Sequence, residues 1–459
     1  MKKYALVLAA GKGTRMRTEL PKCAFPILKK PMISYIVENI EKSTINEICV
    51  IVGHKQEVMR DILGDRVIYA EQLEQLGTGH AVLSAAPQLE DKEGTTFILP
   101  GDMPLMEYPV MNKIIRSHEE MGNDLTIVTM KLDNPKGYGR IVRDEYGTVT
   151  SIIEENDCNE SQKLIKEVNS SVYLVDNKLL FKYVKMIQKS DRKGEYYLTD
   201  IVRLMHQSHK VNTFLLRDPM IGMGFNDLYG ISVAEKYLRE SINKGHMLNG
   251  VSIINPETVT IGHNVSIEEG VWIYPNTTLM GNTVLKKGSR VGPNSEIIDS
   301  VIHEYAEIRH SIIVDSEVGE NTTVGPFAHL RNHAVIGKNN RIGNFVEVKK
   351  STTGEGTKAA HLSYIGDAIV GSRVNFGCGS ITVNYDGVKK HITHIGDDVF
   401  IGCNVNLIAP IKISDNVFLA AGSTVTKDVP KGALAIARNK QINKEDYAKH
   451  FVKAKNDEK

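Results

Sequence analysis

The sequence predicts an α/β protein in two parts. Residues 1–226 read as an open, largely parallel sheet layered with helices, and residues 250–459 as a parallel β-helix. Three observations carry this. Short apolar runs alternate with amphipathic helical patterns up to about residue 226. A single helical pattern fills 227–249. After Gly250 an aliphatic residue returns every sixth position.

Length and composition set the bounds. At 459 residues the chain is too long for one core. Hydrophobic content of 41% and charged content of 24% are ordinary for a globular protein, and a net charge of +1 gives no reason to expect a nucleic-acid partner. No apolar stretch approaches membrane-spanning length, so membrane insertion is not expected. Cys23, Cys49, Cys158, Cys378 and Cys403 are scattered, odd in number and without a Cys-x-x-Cys pair. That pattern argues for reduced thiols in a cytoplasmic protein, without a disulfide framework or zinc site. The polar tail KAKNDEK is expected to fray.

In the first part YALVLAA, EICVIVG, RVIYAEQ and TTFILPGD read as strands, while PMISYIVENIEK and PVMNKIIRSHEEMG read as the helices between them. Ligands of such sheets gather at the carboxyl ends of the strands. LAAGKGTRM, EQLGTGHA and PGDMPLM all follow strands, so they are expected to meet at one cleft. The linking pattern DLYGISVAEKYLRESINKGHML is expected to stop at Gly245.

The second part repeats. Ile261, Ile267, Ile273, Leu279, Leu285, Val291 and Ile297 form one run. After a break come Val318, Val324, Leu330, Ile336, Ile342 and Val348, then Ile395, Ile401, Leu407, Ile413, Leu419 and Val425. Each six-residue unit makes one short strand and one corner, and three units close a triangular coil of roughly eighteen residues. KKSTTGEGTKAAHLSYIGD and VNYDGVKKHITHIGDD interrupt the period and are expected to loop out.

The loop LAAGKGTRM invites a nucleotide reading, and spacing removes two versions of it. No Gly-Lys-Ser/Thr stands where a P-loop needs it, and Met16 occupies the third glycine position of a dinucleotide fingerprint. A nucleotide-phosphate loop of another kind remains, with Arg15 and Lys22 adding positive charge beyond it.

LAAGKGTRM followed by LPK, then EQLGTGHA, GDMPL, GYGRIVR and NYDG beside hexapeptide repeats, resembles one family over about Tyr4 to Arg438. It is the bifunctional N-acetylglucosamine-1-phosphate uridylyltransferase/glucosamine-1-phosphate N-acetyltransferase family. The resemblance implies a Rossmann-like nucleotidyltransferase domain, a connecting helix and a left-handed β-helix. Nucleotidyl transfer gathers negative oxygens, so backbone N–H groups, fixed cations and Mg²⁺ suit it. By the resemblance Arg15 and Lys22 are catalytic cations on the UTP phosphates. Leu8, Ala9, Ala10, Gly11, Gln72, Gly77, Thr78, Pro100, Gly101 and Asp102 contact the nucleotide. Gly139, Glu154 and Asn169 contact the sugar of N-acetylglucosamine 1-phosphate. Asp102, after a strand and before Pro104, is placed to bind Mg²⁺, and Asn226 in GMGFND matches the second metal ligand.

The other half implies acetyl transfer from acetyl-CoA to glucosamine 1-phosphate. An amine attacking a thioester needs a base, and imidazole suits that work. His361 in TKAAHLSY matches the family's catalytic histidine. Arg331 and Lys349 then bind the sugar phosphate, with Tyr364, Asn375 and Glu347 placing the sugar or the base. Asn384, Tyr385, Ala421 and Arg438 match the acetyl-CoA end, as do Cys378 and Cys403, where small residues of another type are expected. His329, His333, His391 and His394 read as surface or packing residues. Hexapeptide acyltransferases are typically trimers, which the resemblance carries over as a homotrimer. Two rivals share the build: a monofunctional sugar-1-phosphate nucleotidyltransferase with a structural β-helix, and a non-catalytic regulatory subunit. The first has no use for His361, Asn384, Tyr385 and Lys349 together, and the second none for Arg15, Lys22 and Asp102.

Overall fold

The computed structural model describes residues 1–11, 13–190 and 194–448, so the tail KAKNDEK lies outside the described residues. The chain divides into two compact units, Met1–Leu238 and Arg239–Lys459. The division falls inside the helix Leu228–Leu248, rather than leaving 227–249 as a separate linker. That helix runs through Gly245. The left-handed turn that ends it is made at Gly250 (φ +87°), and a glycine marks a helix end only where the chain makes such a turn.

In the first unit seven strands lie in the order Val211–Leu215, Leu125–Lys131, Glu167–Asp176, Thr95–Pro100, Lys3–Leu8, Glu47–Val52, Ile68–Glu71. Glu167–Asp176 runs antiparallel to both neighbours, and the other pairings along this path are parallel. Both faces are covered, which is why the strands read as continuous apolar runs. Tyr4 and Leu6 enter one core with Leu180, Phe181 and Val202. Ala5 and Val7 enter another with Ile33, Ile36, Met111 and Ile114. Each Val, Leu, Ile, Phe or Met among them, fully withdrawn from water, contributes about 1.5–3 kcal/mol. Leu8 and Pro100 end adjacent parallel strands and Glu71 ends a third, beyond Glu47–Val52, so the loops that follow open on one edge.

The second unit is a parallel β-helix of the left-handed hexapeptide class. Each strand pairs with its equivalent one coil on, as in Ile273 with Val291 and Leu279 with Ile297. The aliphatic residues that recur by six are all buried except Ile267, which is partly buried. Corners with positive φ are carried largely by Asn and Asp, including Asn276, Asn294, Asn321, Asn339 and Asn416. Their short polar side chains tolerate the left-handed conformation.

Two sequence expectations change here. The break after Ile297 is no break: Ile302, Ile308 and Ile313 fill the interior, and Ile302 pairs with Val318 in a shortened coil. Nor does the segment containing His361 loop out. Strands Arg341–Lys349 and Lys358–Gly366 pair in register, Ile342 with Ala359 and Val348 with Ile365. Ala359 and Thr353 hold interior positions, so the period was hidden by small and polar residues rather than lost. The other segment does extrude. Ala368 pairs with Thr393, Tyr385 bridges Lys390, and the residues between form an excursion from the coil.

Candidate functional site

Leu8, Ala10, Gly11, Lys22, Gln72, Gly77, Thr78, Pro100 and Asp102 line one cleft of about 380 Å³ in the first unit. Gln75, Ser171, Glu195 and Tyr197 line it too and were not foreseen. Gln75 stands inside the loop already singled out, while the other three come from distant sequence. Ala9 and Gly101 serve as backbone supports: the Ala9 N–H donates to Ile51 O and the Gly101 N–H to Leu8 O, both at 2.9 Å.

Gly13 adopts φ +61°, and a Cβ there would lie 2.6 Å from the Lys22 Cβ. The glycine therefore lets the loop close onto the lysine. The Lys22 ammonium meets both the Asp102 carboxylate and the Asn226 amide oxygen. Arg15 donates to the same Asn226 oxygen at 3.0 Å. Four residues separated by as much as 211 positions thus share one polar cluster. Asp102 is held from behind by the Phe225 N–H, which donates to its backbone oxygen at 3.1 Å. A Cβ on Gly224 would come within 3.0 Å of Asp102 Oδ2, so Gly224 leaves the carboxylate its space.

Gln72 is buried and directs its amide nitrogen to Gly77 O at 3.2 Å and His80 Nδ1 at 3.1 Å. It braces the loop that it opens. Thr78 Oγ1 accepts from the Leu198 N–H at 3.0 Å. Gly139, Glu154 and Asn169 form a neighbouring group. The Asn169 N–H donates to Gly139 O at 2.9 Å, and Thr199 donates to Glu154 Oε1 at 3.0 Å. Burial pushes the Tyr197 hydroxyl pKa up, with the Glu195 and Glu154 charges adding, which ties this group to the cleft wall. Cys23 also lines the cleft, and burial pushes its thiol up to about 12, so it stays protonated.

Behind this group lies Arg140, its side chain 2% exposed, paired with Glu155 at 2.8 Å. The Gly137 N–H and then Arg140 hold the Glu155 carboxyl below its ordinary value. The folded chain therefore binds that proton less readily than the unfolded chain. The resulting stability is full at neutral pH and drains as acid protonates Glu155. Glu155→Gln is expected to cost about 2 kcal/mol by leaving a buried guanidinium unpaired. A lowered first-unit midpoint in denaturant, with the loss shrinking toward acid pH, checks it.

In the second unit Asn344 and His361 are direct neighbours on paired strands. The His361 Nδ1 lies 3.1 Å from Asn344 Oδ1. An amide oxygen only accepts, so the proton sits on Nδ1 and Nε2 keeps its lone pair. This is the tautomer that a general base acting through Nε2 requires. Asn344 escaped the sequence reading because its signal is register, seventeen residues upstream of His361.

Arg331 and Lys349 are paired neighbours, and Glu347 faces Tyr364. Arg331 donates to Glu347 Oε1 at 2.8 Å from Nε, with its Nη2 at 2.6 Å. Asn384 donates to Asp367 Oδ2 at 2.6 Å and lies 3.4 Å from the Tyr364 hydroxyl. Lys390, unforeseen, stands beside Lys349. The close approach of the Lys349 ammonium holds the Lys390 ammonium below the ordinary lysine value. Two cations brought together suit an anionic group. His391 pairs with Asp386 at 2.7 Å and His333 with Asp315 at 3.0 Å, both structural contacts on the surface.

Flanking ladders place the remaining residues. Ala359, Phe376, Ile401 and Leu419 are successive partners, so His361, Cys378, Cys403 and Ala421, each two residues further on, occupy one corner column. Arg438 joins its end by donating to Ala421 O at 2.8 Å. Asn375 pairs with Lys358 and Phe400 on the adjoining face. Tyr385 stands in the extruded segment, half exposed, its hydroxyl donating to Gly387 O at 2.6 Å.

Comparison with known proteins gives the same division. Residues 4–227 match the family model described as nucleotidyl transferase, and residues 264–299, 315–350 and 392–427 match the bacterial transferase hexapeptide model of six repeats. A protein named "Bifunctional protein GlmU" from Acholeplasma laidlawii is 61% identical over 455 residues, 99% of each chain. Proteins of the same name from Geobacillus sp. and Listeria monocytogenes are 46% and 44% identical, covering 99% of this chain and 100% of theirs. With both halves matched over their full length by relatives of one name, this chain belongs to the GlmU family of bifunctional transferases.

Proposed function

We propose that this uridylyltransferase and acetyltransferase, which makes UDP-N-acetylglucosamine, runs its two reactions at the two clusters described above. The observation that carries this is their separation: the Lys22–Asp102–Asn226 cluster lies in one unit and the Asn344–His361 pair in the other.

In the second unit the amine of glucosamine 1-phosphate attacks the acetyl carbon of acetyl-CoA. His361 Nε2 takes the proton shed by the amine, and the thioester carbon–sulfur bond breaks to release CoA. Asn344 positions the imidazole by fixing its tautomer. Lys349, Lys390 and Arg331 receive the phosphate, while Tyr364 and Asn375 place the sugar. The corner column through Cys378, Cys403 and Ala421, with Asn384, Tyr385 and Arg438, takes the coenzyme.

In the first unit an oxygen of N-acetylglucosamine 1-phosphate attacks the α-phosphorus of UTP, and pyrophosphate leaves. Lys22 and Arg15 stabilise the charge that grows on the phosphates, and Gly11 and Gly13 leave room for their close approach. Asp102 and Asn226 suit Mg²⁺: a carboxylate and an amide oxygen already converge on one positive charge, and this ion takes one or two protein oxygens beside phosphate oxygens and water. Bound there, it would neutralise phosphate charge.

Assembly as a homotrimer through the β-helix is supported by exposed apolar residues in ladders, such as Phe327 stacked on Phe345 at 5.5 Å and Phe400 on Phe418 at 4.5 Å. A cytoplasmic setting is supported by the five free cysteines. Among the described residues no helix is long and apolar enough to cross a membrane.

Purified protein given glucosamine 1-phosphate, acetyl-CoA, UTP and Mg²⁺ is expected to release both free thiol and pyrophosphate. Pyrophosphate from N-acetylglucosamine 1-phosphate with no thiol release would leave the β-helix a scaffold. Asn344→Ala tests the positioning role. It is expected to lower kcat for acetyl transfer about tenfold with little change in KM, since only base orientation is lost. A rise in KM alone would assign Asn344 to substrate binding.

A further inference from the structure

Two of the five cysteines differ from the rest in place and setting. Cys23 and Cys49 are buried, and burial pushes both thiols up to about 12, while Cys158 is raised by the same cause. Cys378 and Cys403 are exposed. They are 25 residues apart in sequence, yet the ladders on either side pair Phe376 with Ile401 and Ile381 with Asn406. The two cysteines therefore hold equivalent positions on successive coils.

Their corners also share a backbone form. The residue after each is left-handed, Gly379 at φ +77° and Asn404 at φ +54°, and the Asn404 N–H donates to Cys378 O at 2.8 Å. Equal backbone conformations aim the two Cα–Cβ bonds the same way, one coil step apart. Neighbouring strands lie about 4.8 Å apart, inside the Cα separation of roughly 4.4–6.8 Å that a disulfide spans. That spacing is a few tenths of an ångström beyond its Cβ separation of about 3.5–4.5 Å, so closing the bond draws the two corners slightly together. The two cysteines thus stand one above the other in the column that begins at His361.

We propose that Cys378 and Cys403 form a dithiol modification site for low-molecular-weight disulfides, whose product, a Cys378–Cys403 disulfide, blocks acetyl transfer. The effect on catalysis rests on the placement of acetyl-CoA along this column; the thiol chemistry does not. One cysteine thiolate attacks the small disulfide, whose sulfur–sulfur bond breaks. One small thiol leaves and a mixed disulfide remains. The second cysteine thiolate then attacks the protein-side sulfur and expels the other small thiol. Both cysteine sulfurs are oxidised, the small disulfide is reduced to two thiols, and the two cysteine protons end on those thiols. A dithiol reductant reverses the exchange.

The test treats the full chain with oxidised glutathione, blocks remaining thiols and maps tryptic peptides. The expected product joins the peptide 374–389 to the peptide 391–412, with two fewer titratable thiols. Acetyl transfer is lost and returns with dithiothreitol, while uridylyl transfer persists. Cys403→Ser is expected to carry a glutathione adduct on Cys378 and no cross-link. Separate adducts on both cysteines of the unaltered chain, or no reaction at either, overturns the dithiol. A cross-link that leaves acetyl transfer intact keeps the dithiol and instead overturns the placement of acetyl-CoA at this corner.

Discussion

Replacing His361 with alanine is expected to lower acetyl transfer about 10²–10⁴-fold, the usual worth of a positioned general base, and to leave uridylyl transfer at its original rate. The reasoning runs through one nitrogen. Nδ1 is committed to Asn344 Oδ1 at 3.1 Å, so Nε2 alone offers a lone pair. Nothing else in the column is a comparable base, since Cys378, Cys403 and Ala421 follow it. Release of free thiol from acetyl-CoA measures the first activity, and pyrophosphate release from UTP with N-acetylglucosamine 1-phosphate measures the second. A small loss in the first would move the base elsewhere. His361→Gln, which keeps polarity without basicity, is expected to match the alanine variant. That outcome separates loss of the base from loss of shape.

Asp102→Asn carries the second large effect. The swap keeps size and removes charge at the point where Lys22, Asn226 and the carboxylate meet. If the carboxylate holds Mg²⁺ against the phosphates, several kcal/mol of charge stabilisation goes with it, and uridylyl transfer falls about 10³-fold. The half-saturating Mg²⁺ concentration rises at the same time. Acetyl transfer stays unchanged, because His361 and its column belong to the other unit. A loss of rate without any change in Mg²⁺ dependence would assign Asp102 to holding Lys22 rather than to the metal. An unchanged denaturation midpoint of the affected unit is the folding control, since one unit could unfold and spare the other unit's reaction.

Some of this chain is written locally and some is not. The α/β alternation, the apolar strands buried on both faces and the six-residue period follow from side-chain pattern alone, because burial imposes a fixed spacing on any regular element. The glycine loop after the first strand is also local: Gly13 permits the close approach that seats Lys22, only nine residues later. By contrast, Gly245 looked like a helix end and is not, since the signal depends on a backbone turn that only Gly250 makes. The segment carrying His361 looked like an excursion because Thr353 and Ala359 replace the aliphatic residues that mark the period.

Partnerships across long separations were beyond reach of pattern. Asn344 is recognisable as the partner of His361 only once the length of that coil is known, and Lys390 joins Lys349 only because the extruded segment folds back. Ser171, Glu195 and Tyr197 reach the first-unit cleft from strands and loops whose order in the sheet does not follow their order in the chain. The sequence by itself determined which elements form and which residue types are available for chemistry. The tertiary structure decided which of them meet, because register between strands is set by how whole coils and sheets pack and not by any residue's immediate neighbours.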